Sequence, residues 1–380
     1  MPFTEEQLAF RDTIRKMVEK EIAPIAAKID AEDKFPEDIA AMFGEMGLLQ
    51  MWVPEEYGGP GGDLTTVCIL KEEVGRHSLT CSTLAANNSI GLILPILNFG
   101  TDAQKEKYLR ESASGKIITS IAMTEPTTGS DVSSMRTRAV RQSDGSYVLN
   151  GQKSWITWGE NANYVLVFAK TDENAGYDGI SAFLVDTTTP GFRVGRAERK
   201  MGRLGAPNNE LFFEDMVVPA DCMIGAEGTG FKSCMTILDL NRPTVGASSL
   251  GIAQGAFELA VEHAKTRVQF GKPLGQFQGM QFKLADMAIK IEAARALLYS
   301  VCAEIDSGDH SRRAVIASMA KCYPADVAME VTTEAVQILG SSGYSKDFPA
   351  ERMMRDAKCN QIIEGAQEIH RWIIGRRLVS

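Results

Sequence analysis

The feature that most constrains this chain is a change of hydrophobic period near Lys116. Before it, from Phe3 to about Glu111, apolar residues recur every three or four positions, the period of an amphipathic helix. After it come short β-rich segments: "KIITSIAMTE", "MRTRAV", "SYVLNGQKSWIT", "YVLVFAK", "ISAFLVD" and "NELFFEDMVV". Turn signals at Asp144-Gly145, Asn150-Gly151 and Pro190-Gly191 punctuate them. No helix intervenes between these strands, so the stretch reads as an antiparallel barrel or sandwich rather than as βαβ units. Helical periodicity returns after "GAEGTG" (225–230).

The expected organisation is therefore α+β multidomain: an all-α part over 1–116, a β part over 117–226 and a helical part over 227–380. Residues 4–30 predict one helix, and "GLLQMWVPEEYGGPGGD" predicts a loop. Leu284, Met287, Ile291, Ala294 and Leu298 mark a buried stripe. A further long helix is expected from about Arg312 to Leu339, ended by Gly340 and bent at Pro324.

Length agrees, since 380 residues exceed what one core usually supports. A net charge of −9 argues against a nucleic-acid partner, which needs clustered cations. No apolar run reads as long enough to cross a bilayer, and "MPFTEEQLAFRD" is unlike a signal peptide. Seven cysteines without a CxxC pair read as free thiols, and four scattered histidines give no metal-ligand spacing. A cytoplasmic protein without a metal is expected.

Glycine-rich runs invite a nucleotide-binding reading that fails. Neither "GGPGGD" (58–63) nor "GAEGTG" has GxGxxG spacing after a strand, and both read as loop glycines needing positive φ. No GxxxxGK[ST] or GxSxG occurs. "AMTEPTTGSD" (122–131) gathers hydroxyls and free N–H groups after a strand, suiting either a polar ligand or a Ser-rich turn. "SWITWG" (154–159) sets Trp155 and Thr157 on one strand face, a flat-ring site or ordinary core. "KTRVQFGKP" (265–273) ends a helix with cations, which the helix dipole favours, though Arg267 could pair a phosphate. In "QIIEGAQEIHR" (361–371), Glu364 before Gly365 reads on its own as a helix-terminal charge.

In order and spacing, however, "AMTEPTTGSD", "SWIT", "MGRLGAPNNELFFEDMVVP", "GAEGTGF", "LDLNR", "RVQFGKPLGQFQ", "QILGSSGY", "ERMMRDAK" and "IIEGAQEI" resemble the acyl-CoA dehydrogenases over essentially the whole chain. "ANNSIGLILPILNFGT" and Glu368 resemble the short-chain, butyryl-CoA branch. The resemblance implies a C-terminal four-helix bundle, FAD as cofactor, an acyl-CoA substrate, an electron-transfer flavoprotein as partner and a homotetramer. It implies that Ile121, Met123, Thr124, Gly129 and Ser130 contact the flavin ring, with Ser130 also touching the CoA arm. Trp155, Ile156 and Thr157 would pack beside that ring. Arg267, Phe270, Gln278, Gln337, Gly340 and Ser341 would hold the adenosine and pyrophosphate end from a neighbouring subunit, and Ala366 and Glu368 would complete the cofactor set. Asp239, Asn241, Arg242 and Gly365 would face substrate. Glu364 would be the base that takes the α-proton, a role strengthened by an apolar setting among Ile362, Ile363 and the acyl chain.

The chain departs from the family pattern at Thr127, where Gly is usual, at Trp158, where a small polar residue is common, and at Ala366, where Thr is usual. Asn241 excludes the branches that carry their base on that helix. No arginine lies between Thr80 and Ile90, which disfavours decarboxylation of glutaryl-CoA. An oxidase, monooxygenase or desulfinase on the same fold, or a non-catalytic acyl-CoA or FAD-binding protein, are the alternatives. Short linear, branched and alicyclic acyl groups stay open.

Overall fold

A computed structural model describes residues 3–379. The chain opens with α1 (Glu5–Met17), whose start is closed by a capping box: Thr4 Oγ1 accepts the Gln7 N–H while Gln7 Oε1 accepts that of Thr4. The single helix expected over 4–30 is broken. A wide turn at Val18–Ile22 and a tight one at Ala23–Ile25 separate α1 from α2 (Ala26–Glu32), because Pro24 has no N–H to continue the ladder. There follow α3 (Glu37–Glu45), α4 (Leu64–Gly75), α5 (Leu79–Leu84), α6 (Leu94–Phe99), α7 (Asp102–Gln104) and α8 (Arg110–Ala113). Gly58 and Gly61 in the loop before α4 both adopt positive φ, as their glycines imply. The run Leu79–Phe99 corrects the expectation about apolar segments: it is long and apolar enough to cross a membrane, but it is mostly buried inside the protein.

Strands β1 (Thr119–Ala122), β2 (Arg138–Arg141), β3 (Tyr147–Thr157), β4 (Tyr164–Lys170), β5 (Ile180–Asp186), β6 (Phe192–Ala197), β7 (Asn208–Val218) and β8 (Met223–Ile224) form one sheet in the order β6-β7-β3-β2-β4-β5-β8. Its pairings are mostly antiparallel, with two exceptions: β1 runs parallel to β4, and β2 meets β4 in parallel at Arg138–Lys170. Asn150-Gly151 is not a turn. It lies inside β3, where the register against β7 slips between Leu149 and Gly151. A side chain at Gly151 would come within 2.5 Å of Thr137 Oγ1, so glycine marks a bulge under close approach. β6 escaped the sequence reading because "FRVGRA" alternates charge with few apolar residues.

The third part is helical: α9 (Gly230–Thr266), a hairpin of β9 (Val268–Gln269) and β10 (Lys272–Pro273), α10 (Gln278–Asp306), α11 (Arg313–Leu339), α12 (Ser341–Tyr344), α13 (Ala350–Asn360) and α14 (Gln367–Leu378). Met287, Ile291, Ala294 and Leu298 are buried and Leu284 packs against the same core. α11 runs unbroken through Pro324 and ends at Gly340, φ +63°. Helix α9 lies against both α4 and α11, and glycines allow it. An added Cβ would stand 2.2 Å from Glu72 O at Gly251, 2.0 Å from Arg76 O at Gly255 and 2.0 Å from Ala320 O at Gly246. The core around α9 joins Leu64 and Ile93 from the first helices, Phe168 and Leu184 from the sheet, and Leu298 and Val331 from the last helices.

Candidate active site

Glu364 sits in the short link between α13 and α14. It takes the left-handed conformation, φ +52°, and Gly365 follows at +101°. A non-glycine residue there stores strain, so its surroundings must hold it. Helix α11 does so. Lys321, fully buried, donates from Nζ to Gly365 O at 2.8 Å and to Gln367 Oε1 at 3.2 Å. Gln367 Nε2 donates to Cys322 O (2.7 Å) and Asp326 Oδ1 (2.8 Å), and Gln361 Nε2 reaches the same Asp326 oxygen at 2.6 Å. Arg371 closes the other side of Asp326 at 2.6 Å. Gly365 has a second reason to lack a side chain, since a Cβ would lie 3.1 Å from His370 Nε2.

The carboxylate is met from α9. Asn241 Nδ2 donates to both Glu364 oxygens, at 2.9 and 3.0 Å, while Thr244 Oγ1 donates to Asn241 Oδ1 at 3.2 Å and fixes the amide. Among the described residues no Lys or Arg forms an ion pair with Glu364. The neighbouring cations act at longer range: burial brings Lys71 and Lys321 each down to about 8, and Glu364 opposes that shift in both. His370 is buried and held near 3 by burial and by the charges of Lys321 and Arg242, against an opposing pull from the backbone of Gly365 and Glu364 beside its ring. Asp239 and Arg242 are buried and pair with each other. Ile363 is half-buried but Ile362 is 60% exposed, which corrects the expected apolar cover on that side.

The β-sheet loop meets α9 where Cys234 Sγ approaches Met123 Sδ at 3.9 Å. The loop is anchored by a buried pair: Lys153 Nζ donates to Glu125 Oε1 (2.9 Å) and Met123 O (3.1 Å). Glu125 also accepts the N–H groups of Arg136 (2.6 Å) and Thr137 (2.9 Å). Ser-rich turn chemistry is present too, with Asp131 accepting both Ser133 and Ser134 hydroxyls. Trp155 is not core. Its φ of +61° and a register slip between Lys153 and Ile156 break the two-residue period, and its ring is 54% exposed. Asn208 Nδ2 ties Trp155 O (3.2 Å) to Thr157 Oγ1 (2.9 Å). Trp158 is the core tryptophan, packed on Phe35. Ile156 is 2% exposed within the sheet core, so its side chain does not reach the ligand-facing surface.

Arg267, Phe270, Gln278, Gln337, Gly340, Ser341 and Glu368 are exposed, Ala366 is half-buried, and none of them hydrogen-bonds to Glu364 among the described residues. A flat, polar-edged group fits the β-loop face. Trp155 presents an open ring, Ser154 and Thr128 hold buried hydroxyls without partners, and a Cβ at Gly129 would meet nothing. Sequence reading missed Lys321, Lys153, Lys71 and His370. Lys321 is a lone polar residue in an apolar stretch, while Lys153, Lys71 and His370 stand among other polar residues that read as surface, so nothing in the sequence marks them as buried.

The chain thus combines a carboxylate on a clamped loop with a β-loop face that fits a flat, polar-edged group, the two parts a flavin-dependent oxidoreductase needs. Family comparison makes the class specific. The chain matches the acyl-CoA dehydrogenase N-terminal domain over residues 4–116, the middle domain over 120–216 and the C-terminal domain over 228–379. It is 47% identical over 378 residues to cyclohex-1-ene-1-carbonyl-CoA dehydrogenase of Geobacter metallireducens, covering 99% of this chain and 98% of that one. Butyryl-CoA dehydrogenase of Megasphaera elsdenii superposes with a TM-score of 0.96 at 41% identity, covering 100% of both. A chain from a structural study of the electron transferring flavoprotein of Acidaminococcus fermentans gives 0.96 at 43%, covering 100% and 99%. The chain belongs to the acyl-CoA dehydrogenase family, whose members are FAD-dependent flavoenzymes.

Proposed function

We propose that this enzyme desaturates a short-chain, branched or alicyclic acyl-CoA to the 2-enoyl-CoA, with Glu364 removing the α-proton. FAD supplies the acceptor for the β-hydride when bound. The observation that carries this reading is the Glu364 carboxylate, held in a strained loop by α11 and hydrogen-bonded, among the described residues, by the neutral amide of Asn241. A base so placed has both oxygens aimed by one donor and is free to accept a proton once the amide yields. Gly365 leaves room for the thioester beside it. Ile121, Met123, Thr124, Gly129, Ser130, Trp155 and Thr157 form the flavin face, with Ile156 contributing backbone alone. Ser130, Asp239, Asn241 and Arg242 line the CoA arm. The exposed set from Arg267 to Ser341, with Ala366 and Glu368, completes the cofactor site of a second subunit in a homotetramer. A cytoplasmic enzyme passing electrons to an electron-transfer flavoprotein fits the chain's likeness to the Acidaminococcus structure.

Glu364→Gln tests the assignment. The variant is expected to keep its flavin and to lose anaerobic flavin bleaching by acyl-CoA by at least about a hundredfold, the usual worth of a general base. Bleaching at the wild-type rate would overturn it.

A further inference from the structure

We infer that the acyl pocket ends on a buried cation, Lys71 of α4, and that the enzyme takes an acyl group whose far end carries a carboxylate. This rests on the reading of Glu364 as the base. Asn241, Thr244 and Ser248 lie three and four residues apart, so they share one face of α9. Hydrogen bonds run along that face. Thr244 Oγ1 reaches Asn241 Oδ1 at 3.2 Å, Ser248 Oγ reaches Thr244 O at 3.1 Å, and Ser248 Oγ meets Ser82 Oγ at 2.8 Å. Ser82 then reaches Lys71: its Oγ donates to Lys71 O (2.8 Å), and its carbonyl accepts from Lys71 Nζ (3.0 Å). The seven steps of helix from Asn241 to Ser248 rise about 10 Å, and Glu364 and Lys71, at the two ends of this row, are within electrostatic reach of each other.

Lys71 is the poorly compensated one of three buried lysines. Lys153 has the carboxylate of Glu125 at 2.9 Å, and Lys321 has two oxygen acceptors. Lys71 is 9% exposed, and its three N–H donors meet a single acceptor, Ser82 O. Among the described residues it makes no ion pair. Arg203 lies within electrostatic reach and adds positive charge. Its guanidinium bonds Thr83 Oγ1 (2.6 Å) and Cys359 Sγ (3.2 Å), and its Nε has no partner. Among the described residues, the carboxylate hydrogen-bonded to Arg203 is that of Asp356, and it accepts the backbone N–H rather than the side chain. Cys68 is pushed well up by burial and stays a neutral thiol, so the carboxylate within electrostatic reach of Lys71 is Glu364, which makes no ion pair or hydrogen bond with it among the described residues. A purely apolar acyl chain would leave this cation dry and unpaired, at a large desolvation cost. A distal carboxylate would supply a second acceptor and an anion in direct contact, where Glu364 acts only at longer range. The stretch from Thr80 to Ile90 holds no arginine, so the cation comes from α4 instead.

The test compares thioesters of dicarboxylic acids, from glutaryl- to suberyl-CoA, with the monocarboxylic thioester of equal carbon number. Rates of anaerobic flavin bleaching are read on the holoenzyme, and binding is read as flavin absorbance change on Glu364→Gln. At one or two chain lengths the dicarboxylic member should win by about tenfold or more in both readouts, the worth of a charged hydrogen bond. Lys71→Met, or Lys71→Gln where Met does not fold, should bring that ratio to about one. Bleaching by the monocarboxylic series with no dicarboxylic preference at any length overturns this inference and leaves Glu364 standing. A preference that survives in the Lys71 variants overturns the role of Lys71. Bleaching by neither series overturns both readings.

Discussion

At the scale of single residues, the site is a carboxylate whose position is decided elsewhere. Glu364 was legible in the sequence because its neighbours keep the family's order and spacing. Lys321 was not, since it stands more than forty positions upstream inside a regular helix and contacts the loop through a backbone oxygen. The strained φ of Glu364 is held in part by Lys321, which bonds both Gly365 O and Gln367 Oε1. Removing a buried charged hydrogen-bond donor costs about 1.5–3 kcal/mol. Lys321→Met should therefore lower kcat about ten- to a hundredfold by letting the carboxylate wander. Stopped-flow flavin reduction would show it, with flavin content unchanged and partial recovery in Lys321→Arg. An unchanged kcat would mean that the loop is held without this lysine. Ala366 illustrates the opposite case: it stands at the start of α14 with no side-chain cap, so the family's usual hydroxyl is missing without visible compensation.

At the scale of elements, period and turn chemistry located most strands and the long helices, because burial alternates or recurs where the chain packs on one face. The failures fall where backbone geometry departs from period. Pro24 breaks the first helix, and Gly151 and Trp155 sit at slips of β3 that no alternation could announce. The close approach of α9 to α4 was invisible for a related reason: a glycine in a helix reads as a weakness until the neighbouring carbonyl is seen. Two glycine-to-alanine changes should move stability in opposite directions. At Gly375 in α14 a Cβ meets nothing, so alanine should stabilise by about 0.5–1 kcal/mol through the unfolded chain. At Gly251 the same methyl would stand 2.2 Å from Glu72 O, a backbone atom. The overpacking penalty of about 1–3 kcal/mol should win there. Paired thermal melts decide it, and a stabilised Gly251→Ala would disprove the tight seam.

At the scale of the whole molecule, buried titratable groups set how the fold responds to acid, and two of them oppose each other. Burial and the cations of Lys321 and Arg242 hold His370 near 3 instead of its ordinary 6.5. The unfolded chain takes a proton on this ring below 6.5 while the native one does not. Its contribution is therefore fully present above 6.5 and is lost as pH falls toward 3. Burial raises Asp356 from 3.8 to about 6. The native state holds that proton while the unfolded chain releases it, so acidification from 6 to 3.8 favours the fold. Glu72, Asp239 and Asp306, also raised by burial, act in the same sense. The histidine window is wider and opens at higher pH, so His370 should dominate the first step of acidification. Urea midpoints are expected to fall between pH 6.5 and 5, and His370→Gln should flatten that slope. Asp356→Asn should steepen it by removing the opposing group. If His370→Gln keeps the wild-type slope, the imidazole beside Gly365 is not what makes the enzyme acid-labile, and the loop carrying Glu364 is insulated from that titration.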